Sequence, residues 1–233
     1  IQRSRGLGDV YKRQFRFRRR GESGLWVSEL FEKTSEFIDD MAIIRSMHAE
    51  VPNHEPSLML MNCGDGRLPR PSFGAWATYG LGTANQNLPA FIAMCPGGYP
   101  IVSTRNWRSA FLPGTCQGTY IDTKNTEVTK LIENIRNGRL TLKEQRRQLD
   151  LVRAFNERHA ARRNDPQLEA RIESFELAFR MQSEAAEAFD ISGEPKHIQE
   201  SYGAGTNGRQ LLITRRLIER GVRFVQVLSL IHI

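Results

Sequence analysis

The residues most capable of chemistry sit close together, as Arg45-Ser46-Met47-His48 followed by Asn53-His54-Glu55-Pro56-Ser57. Two imidazoles six residues apart can ligate a metal or move protons, and Asn53 can donate to an oxyanion. Ser57 can cap a helix or attack a substrate, and Arg45 with Ser57 can hold an anion. His54, Asn53 and His48 are therefore the candidate catalytic residues, and Arg45 and Ser57 the candidate anion-binding ones. The plainer alternative stays open: Asn53 as a helix cap and the histidines as ordinary surface groups. No Gly-rich phosphate loop, Gly-x-Ser-x-Gly elbow or His-Glu-x-x-His pair is expected to organise a site. Cys63, Cys95 and Cys116 are too widely spaced for a Cys-x-x-Cys zinc site and too few for a disulfide framework, so all three are expected as buried thiols.

These groups need elements to position them. Met41-Ala42-Ile43-Ile44 is an apolar run suited to a buried strand, which would place Arg45 and His48 just past its carboxyl end. A helix is expected from Glu55 to Cys63, stopped by Gly64, with Pro56 tolerated in its first turn. In α/β sheets ligands collect at that edge, and helix N-termini attract anions. A second helix is expected over 73–81, closed by Gly82, and a buried strand over 90–95, broken by Pro96-Gly97-Gly98. Residues 15–24 read as an Arg- and Gly-rich surface loop, Ser28 as the cap of a short helix to Asp39, and residues 99–125 as an irregular loop.

The second half is more regular. Thr141-Leu142-Lys143-Glu144 is a capping box opening a helix to about Arg163. Asn164-Asp165-Pro166 is a turn with Asp165 as cap. Leu168, Ile172, Phe175, Phe179, Gln182, Ala186 and Phe189 then recur at helical spacing, so 141–191 is expected as a helical hairpin. A helix over 208–220, Gly221, and an alternating strand over 222–227 complete an α/β signature.

Composition narrows the classes. The chain has 233 residues, 39% of them hydrophobic and 25% charged, enough for a sizeable core. No run approaches the roughly 18 apolar residues of a membrane span. The net charge of +7 lies wholly in residues 1–20, with eight basic residues and one acid, so the remainder is neutral. Nucleic acid is accordingly not expected as a partner. The stretch Arg5-Gly6-Leu7-Gly8-Asp9-Val10-Tyr11-Lys12-Arg13-Gln14 resembles translated sequencing-adapter read-through, and so does Leu228-Ser229-Leu230-Ile231-His232-Ile233. Residues 1–14 and 228–233 are expected to be non-native and are set aside from the fold.

Between them the chain resembles the family called domain of unknown function 1501. The resemblance is carried by Val27-Ser28-Glu29-Leu30-Phe31, Ile44-Arg45-Ser46-Met47-His48, Asn53-His54-Glu55-Pro56-Ser57, Arg70-Pro71-Ser72, Tyr79-Gly80-Leu81-Gly82, Gln86-Asn87-Leu88-Pro89, Cys95-Pro96-Gly97-Gly98 and Gly221-Val222-Arg223-Phe224-Val225. That family is similar to the alkaline-phosphatase and sulfatase superfamily. The resemblance implies an α/β fold with a partial, mostly parallel sheet flanked by helices, residues 15–227 forming the N-terminal and middle part and the hairpin an insertion. It further implies a metal-dependent phosphate or sulfate ester hydrolase using a divalent ion of zinc or calcium type, a small-molecule or glycan ester as substrate, and export to the periplasm or outside. His54 falls where sulfatases place their nucleophile, Leu58 where they have arginine and Cys63 where they have threonine. The superfamily's metal ligands would lie before Phe15 and after Val227, so the fragment alone is expected to be inactive. The rival expectation is an exported, non-catalytic binding or scaffold protein that keeps the fold.

Overall fold

A computed structural model of the chain describes residues 15–48, 50–131, 137–160 and 166–228, and the chain divides into two units, Ile1–His48 and Ala49–Ile233. In the first unit, residues 15–24 are not the expected loop. Strands β1 (Phe17–Arg20) and β2 (Leu25–Ser28) form an antiparallel hairpin, with Phe17 opposite Ser28 and Arg20 opposite Leu25. Its turn places Gly21 and Gly24 at φ +65° and +62°, where a side chain is strained. The Asp39 carboxylate accepts hydrogen bonds from the Glu22 and Ser23 amides at 2.7 and 2.9 Å, which hold it below the usual carboxylate range. Short 3-10 segments, Glu29–Phe31 and Thr34–Asp40, replace the expected helix, with Ser28 accepting from the Leu30 amide.

The strand expected at 41–44 does not form, and all four residues are exposed. The cause is pairing. Among the described residues of this unit the two strands pair with each other, and the run 41–44 has no strand beside it, the Met41 amide instead closing the preceding 3-10 segment on the Ile38 carbonyl at 3.3 Å. Arg45 and His48 therefore do not follow a strand end.

The second unit holds helices α1 (His54–Cys63) and α2 (Phe73–Leu81), then strand β3 (Phe91–Cys95) and strand β4 (Thr119–Asp122). Helices α3 (Val128–Leu131), α4 (Leu142–Ala160), α5 (Pro166–Phe189), α6 (Lys196–Tyr202) and α7 (Thr206–Glu219) follow, and strand β5 (Phe224–Val227) closes the series. The strands form a parallel sheet in the order β4-β3-β5, with Ala93 beside Tyr120 on one side and Gln226 on the other. The chain steps one way from β3 to β4 and returns across β3 to reach β5.

Alternation along β3 builds a core on each face. Ile92 and Met94 join Ile121, Met181, Ala185, Ile213 and Leu217 on one face. Phe91 and Ala93 join Trp107, Tyr120 and Phe224 on the other. β4 lies inside the segment expected to be irregular, where its four residues stand between turns.

Local signals explain most helix limits. Gly64 ends α1 at φ +74°, its amide bonded to the Leu60 carbonyl at 2.8 Å. Thr141 and Glu144 cap α4 reciprocally, at 2.8 and 3.3 Å. The end of this helix near Arg163 and the turn at Asn164 and Asp165 fall outside the described residues.

α4 and α5 pack together as a hairpin requires, but the expected α5 stripe is displaced. Among the described side chains Glu176, Met181, Ala185, Ala188 and Phe189 are buried, Phe189 as the stripe expected, whereas Phe175 is 47% exposed. The helix serves two neighbours: Met181, Ala185 and Ala188 meet the sheet core, while Glu176, Phe179 and Gln182 meet α4. One periodic stripe cannot describe both contacts.

Candidate functional site

The expected site residues divide between the units. Arg45 and His48 belong to the first, both exposed, with His48 Nδ1 3.4 Å from the Ser46 carbonyl. Asn53, His54 and Ser57 belong to the second, where they share the first turn of α1. Asn53 stands at the N-cap position, but its side chain makes no capping bond. His54 and Asn53 are exposed. Ser57 neither caps nor stands free: its hydroxyl donates to the Val51 carbonyl at 2.6 Å, stapling the incoming chain to the helix.

All three cysteines are buried free thiols, and burial raises the pKa of each. A buried thiol held protonated is inert as a nucleophile. Among the described residues no three His, Cys, Asp or Glu side chains come together as a metal site. The divalent ion implied by the resemblance is therefore not matched by a donor set in this part of the chain.

Polar groups do converge at the carboxyl edge of the parallel sheet, where such sheets place ligands. Asp122, the last residue of β4, accepts from the Gly97 and Lys124 amides at 2.8 and 2.9 Å, tying the loops after β3 and β4 together. The Tyr120 hydroxyl donates to the Cys95 carbonyl at 3.2 Å, and burial pushes its pKa well up.

Arg209 of α7 donates to the Thr123 carbonyl, and partial burial lowers its pKa. Beside it, Gln210 is fully buried and donates to Thr123 Oγ1 at 2.6 Å. A cavity of about 410 Å³ opens here, lined among others by Lys124, Tyr202, Thr206, Arg209 and Leu212. Lys124 and Arg209 share this wall with Glu200, so two cations face one carboxylate and the balance of charge is positive by one.

Neither Lys124 nor Arg209 was expected from the sequence. A signal was present, because Gly203-Ala204-Gly205-Thr206-Asn207-Gly208 has the G-x-G-x-x-G spacing and opens α7. It follows helix α6 rather than a strand, so it lacks the dinucleotide-binding context of that motif. A Cβ on Gly208 would lie 2.2 Å from the Gly203 carbonyl oxygen, which gives this glycine a packing reason of its own.

Neither curated proteins nor solved structures include a match to the chain. A family model does match it, over residues 2–230, and on that ground the chain belongs to the family described as "Protein of unknown function (DUF1501)".

Proposed function

We propose that the chain is part of an exported hydrolase of phosphate or sulfate esters, small-molecule or glycan, and that it receives the anionic group at the carboxyl edge of the parallel sheet. The observation that carries this reading is the cavity between α6, α7 and the β4 loop, with Lys124 and Arg209 both on its wall. In that role Lys124 supplies an ammonium and Arg209 a guanidinium that donates to the Thr123 carbonyl. Each can neutralise charge on a bound ester oxygen. His54 and Asn53, exposed at the start of α1, are not among the residues that line this cavity, and their roles in proton transfer and oxyanion donation rest on the family resemblance alone. The superfamily's divalent ion has no matching donor set among the described residues, so these roles are assigned without it.

Chromogenic aryl phosphate and aryl sulfate, each with zinc, calcium or magnesium, test the activity, and calorimetric titration with inorganic phosphate and sulfate tests binding. For this chain, expected to be inactive by itself, the expected result is anion binding that Lys124→Ala weakens about 10-fold, the worth of one charge-assisted hydrogen bond, with turnover expected only of a longer chain. Absence of both turnover and anion binding overturns the reading. If turnover occurs and His54→Ala leaves the rate unchanged, the role of His54 is wrong.

A second reading is a non-catalytic exported binding or scaffold protein. It is favoured by the start of α1, where the resemblance leaves His54 at the nucleophile position and the nearby Ser57 hydroxyl is committed to the Val51 carbonyl as a structural staple.

A further inference from the structure

The loop after β3 has a backbone that its own sequence does not favour. Val102 and Ser103 are consecutive non-glycine residues in the left-handed region, at φ +61° and +50°. For a β-branched residue that conformation is a genuine outlier, and it persists only where the surroundings impose it. Here two backbone bonds, from the Ser103 amide to the Pro100 carbonyl at 2.8 Å and from the Arg105 amide to the Val102 carbonyl at 3.1 Å, act together with Asn106. Its side chain is completely buried and donates to the Ile101 and Ser103 carbonyls, both at 2.9 Å.

Asn106 is itself held. Asn62 of α1 donates to Asn106 Oδ1 at 2.8 Å, and Gln226 of β5 donates to Asn62 Oδ1 at 3.0 Å. A line of three amides thus runs from the sheet through α1 to two carbonyls of the strained turn.

Both ends of the loop are fixed. Gly97 is tied to Asp122, and the Trp107 carbonyl accepts from the Gly118 amide at 3.0 Å. Between them Tyr99 and Ile101 are 54% and 51% exposed, while Trp107 is 1% exposed. The ring of Tyr99 lies against Tyr120 at 4.5 Å and against Trp107 at 6.2 Å between centroids.

We propose that residues 99–104 are a lid on the carboxyl edge of the sheet, closed under backbone strain and latched by Asn106. Losing the two Asn106 bonds frees the turn to give up its two backbone bonds as well, so that Val102 and Ser103 relax to ordinary dihedrals, Tyr99 lifts and Trp107 is uncovered. Gly98, at φ +116°, forms the hinge on the strand side. Strain and latch oppose each other, which is the condition for a bistable segment.

The opposition gives the test a sign. In the full chain carrying Trp26→Phe and Trp76→Phe, Trp107 is the sole tryptophan, and acrylamide quenching of its fluorescence reads lid opening. Asn106→Ala should raise quenching several-fold while a cooperative urea transition is kept. Val102→Gly removes strain without touching the latch and should lower quenching, by about fivefold for the strain typical of one such residue. Should Asn106→Ala fail to fold, Val102→Gly and Ser103→Gly carry the test by themselves. The lid is overturned if the glycine variants leave Trp107 quenching unchanged, or if Asn106→Ala lowers stability without exposing Trp107.

Discussion

Replacing Gly74 by alanine tests how closely α2 lies on the sheet. A Cβ at Gly74 would stand 2.5 Å from Phe91 Cζ and 2.6 Å from Phe224 Cδ1. Phe91 cannot retreat, because it is 1% exposed and a Cβ on Gly118 would already meet its ring at 2.9 Å from another side. Two glycines therefore clamp one phenylalanine, and the added methyl must be met by a shift of α2 or β5. Overpacking of this kind costs about 1–3 kcal/mol, against a helix-propensity gain of at most about 1 kcal/mol.

The control lies six residues further along the same helix. Gly80 is exposed and a Cβ there meets nothing within 4 Å, so Gly80→Ala keeps the gain alone and should stabilise by about 0.5–1 kcal/mol. Since the propensity gain is common to both, the two variants should differ by the overpacking cost alone, about 1–3 kcal/mol. With a urea slope of about 2–3 kcal/mol/M for a unit of this size, that is a separation of about 1 M in midpoint. Adding Phe91→Leu should return part of the loss at Gly74→Ala and show as a non-additive double-mutant cycle. A Gly74→Ala midpoint at or above that of the parent would refute the clamp.

Two ion-pair predictions concern α5 and the turn after it. Arg146 meets Glu176 through two hydrogen bonds at 2.6 and 2.7 Å, with the carboxylate side chain only 8% exposed. Arg146→Ala should cost about 1–3 kcal/mol, discounted because the guanidinium is one-third exposed, whereas Arg146→Met with Glu176→Leu should be near neutral by urea denaturation. The Arg146 bonds hold Glu176 below the usual carboxylate range, and those of Arg215 and Arg216 do the same for Glu194. Because both folded pKa values are depressed, their stabilisation is fully present above the unfolded carboxylate value of about 4.3 and is lost as pH falls below it. Urea midpoints at pH 7, 5, 4 and 3 should show that loss, and Glu176→Gln should flatten the slope.

The elements legible in the sequence are those whose cause is local. Gly64 and Gly82 stop their helices, Thr141 and Glu144 open one, and α7, Gly221 and β5 follow one another where turn chemistry placed them. What was misread depends on pairing between distant segments. Phe17-Arg18-Arg19-Arg20 carries no apolar alternation and becomes a strand because Leu25 to Ser28 returns beside it. Met41 to Ile44 has the apolar run and stays unpaired. β4 has one fully buried residue in four, Ile121, with Tyr120 packed on the opposite face, and nothing within those four announces that β3 will lie alongside.

The same distinction governs the candidate site. The helix start at Asn53 and His54 could be read from its own residues, although the bond of Ser57 to Val51 could not, since a hydroxyl one turn into a helix has several local acceptors. The cation pair is further from reach. Lys124 and Arg209 share a cavity only because β4 ends at Asp122 and α7 begins at Thr206, which brings the Thr123 carbonyl to a guanidinium 86 residues away. A reading that leaves β4 as loop gives Lys124 no position, and so no partner across the edge. The strained turn at Val102 follows the same rule, because Asn106 can impose it only when Asn62 and Gln226 arrive from α1 and β5 to hold the amide in place. Chemistry on a single helix turn is visible in sequence, and chemistry assembled along a sheet edge becomes visible only once the strands are paired.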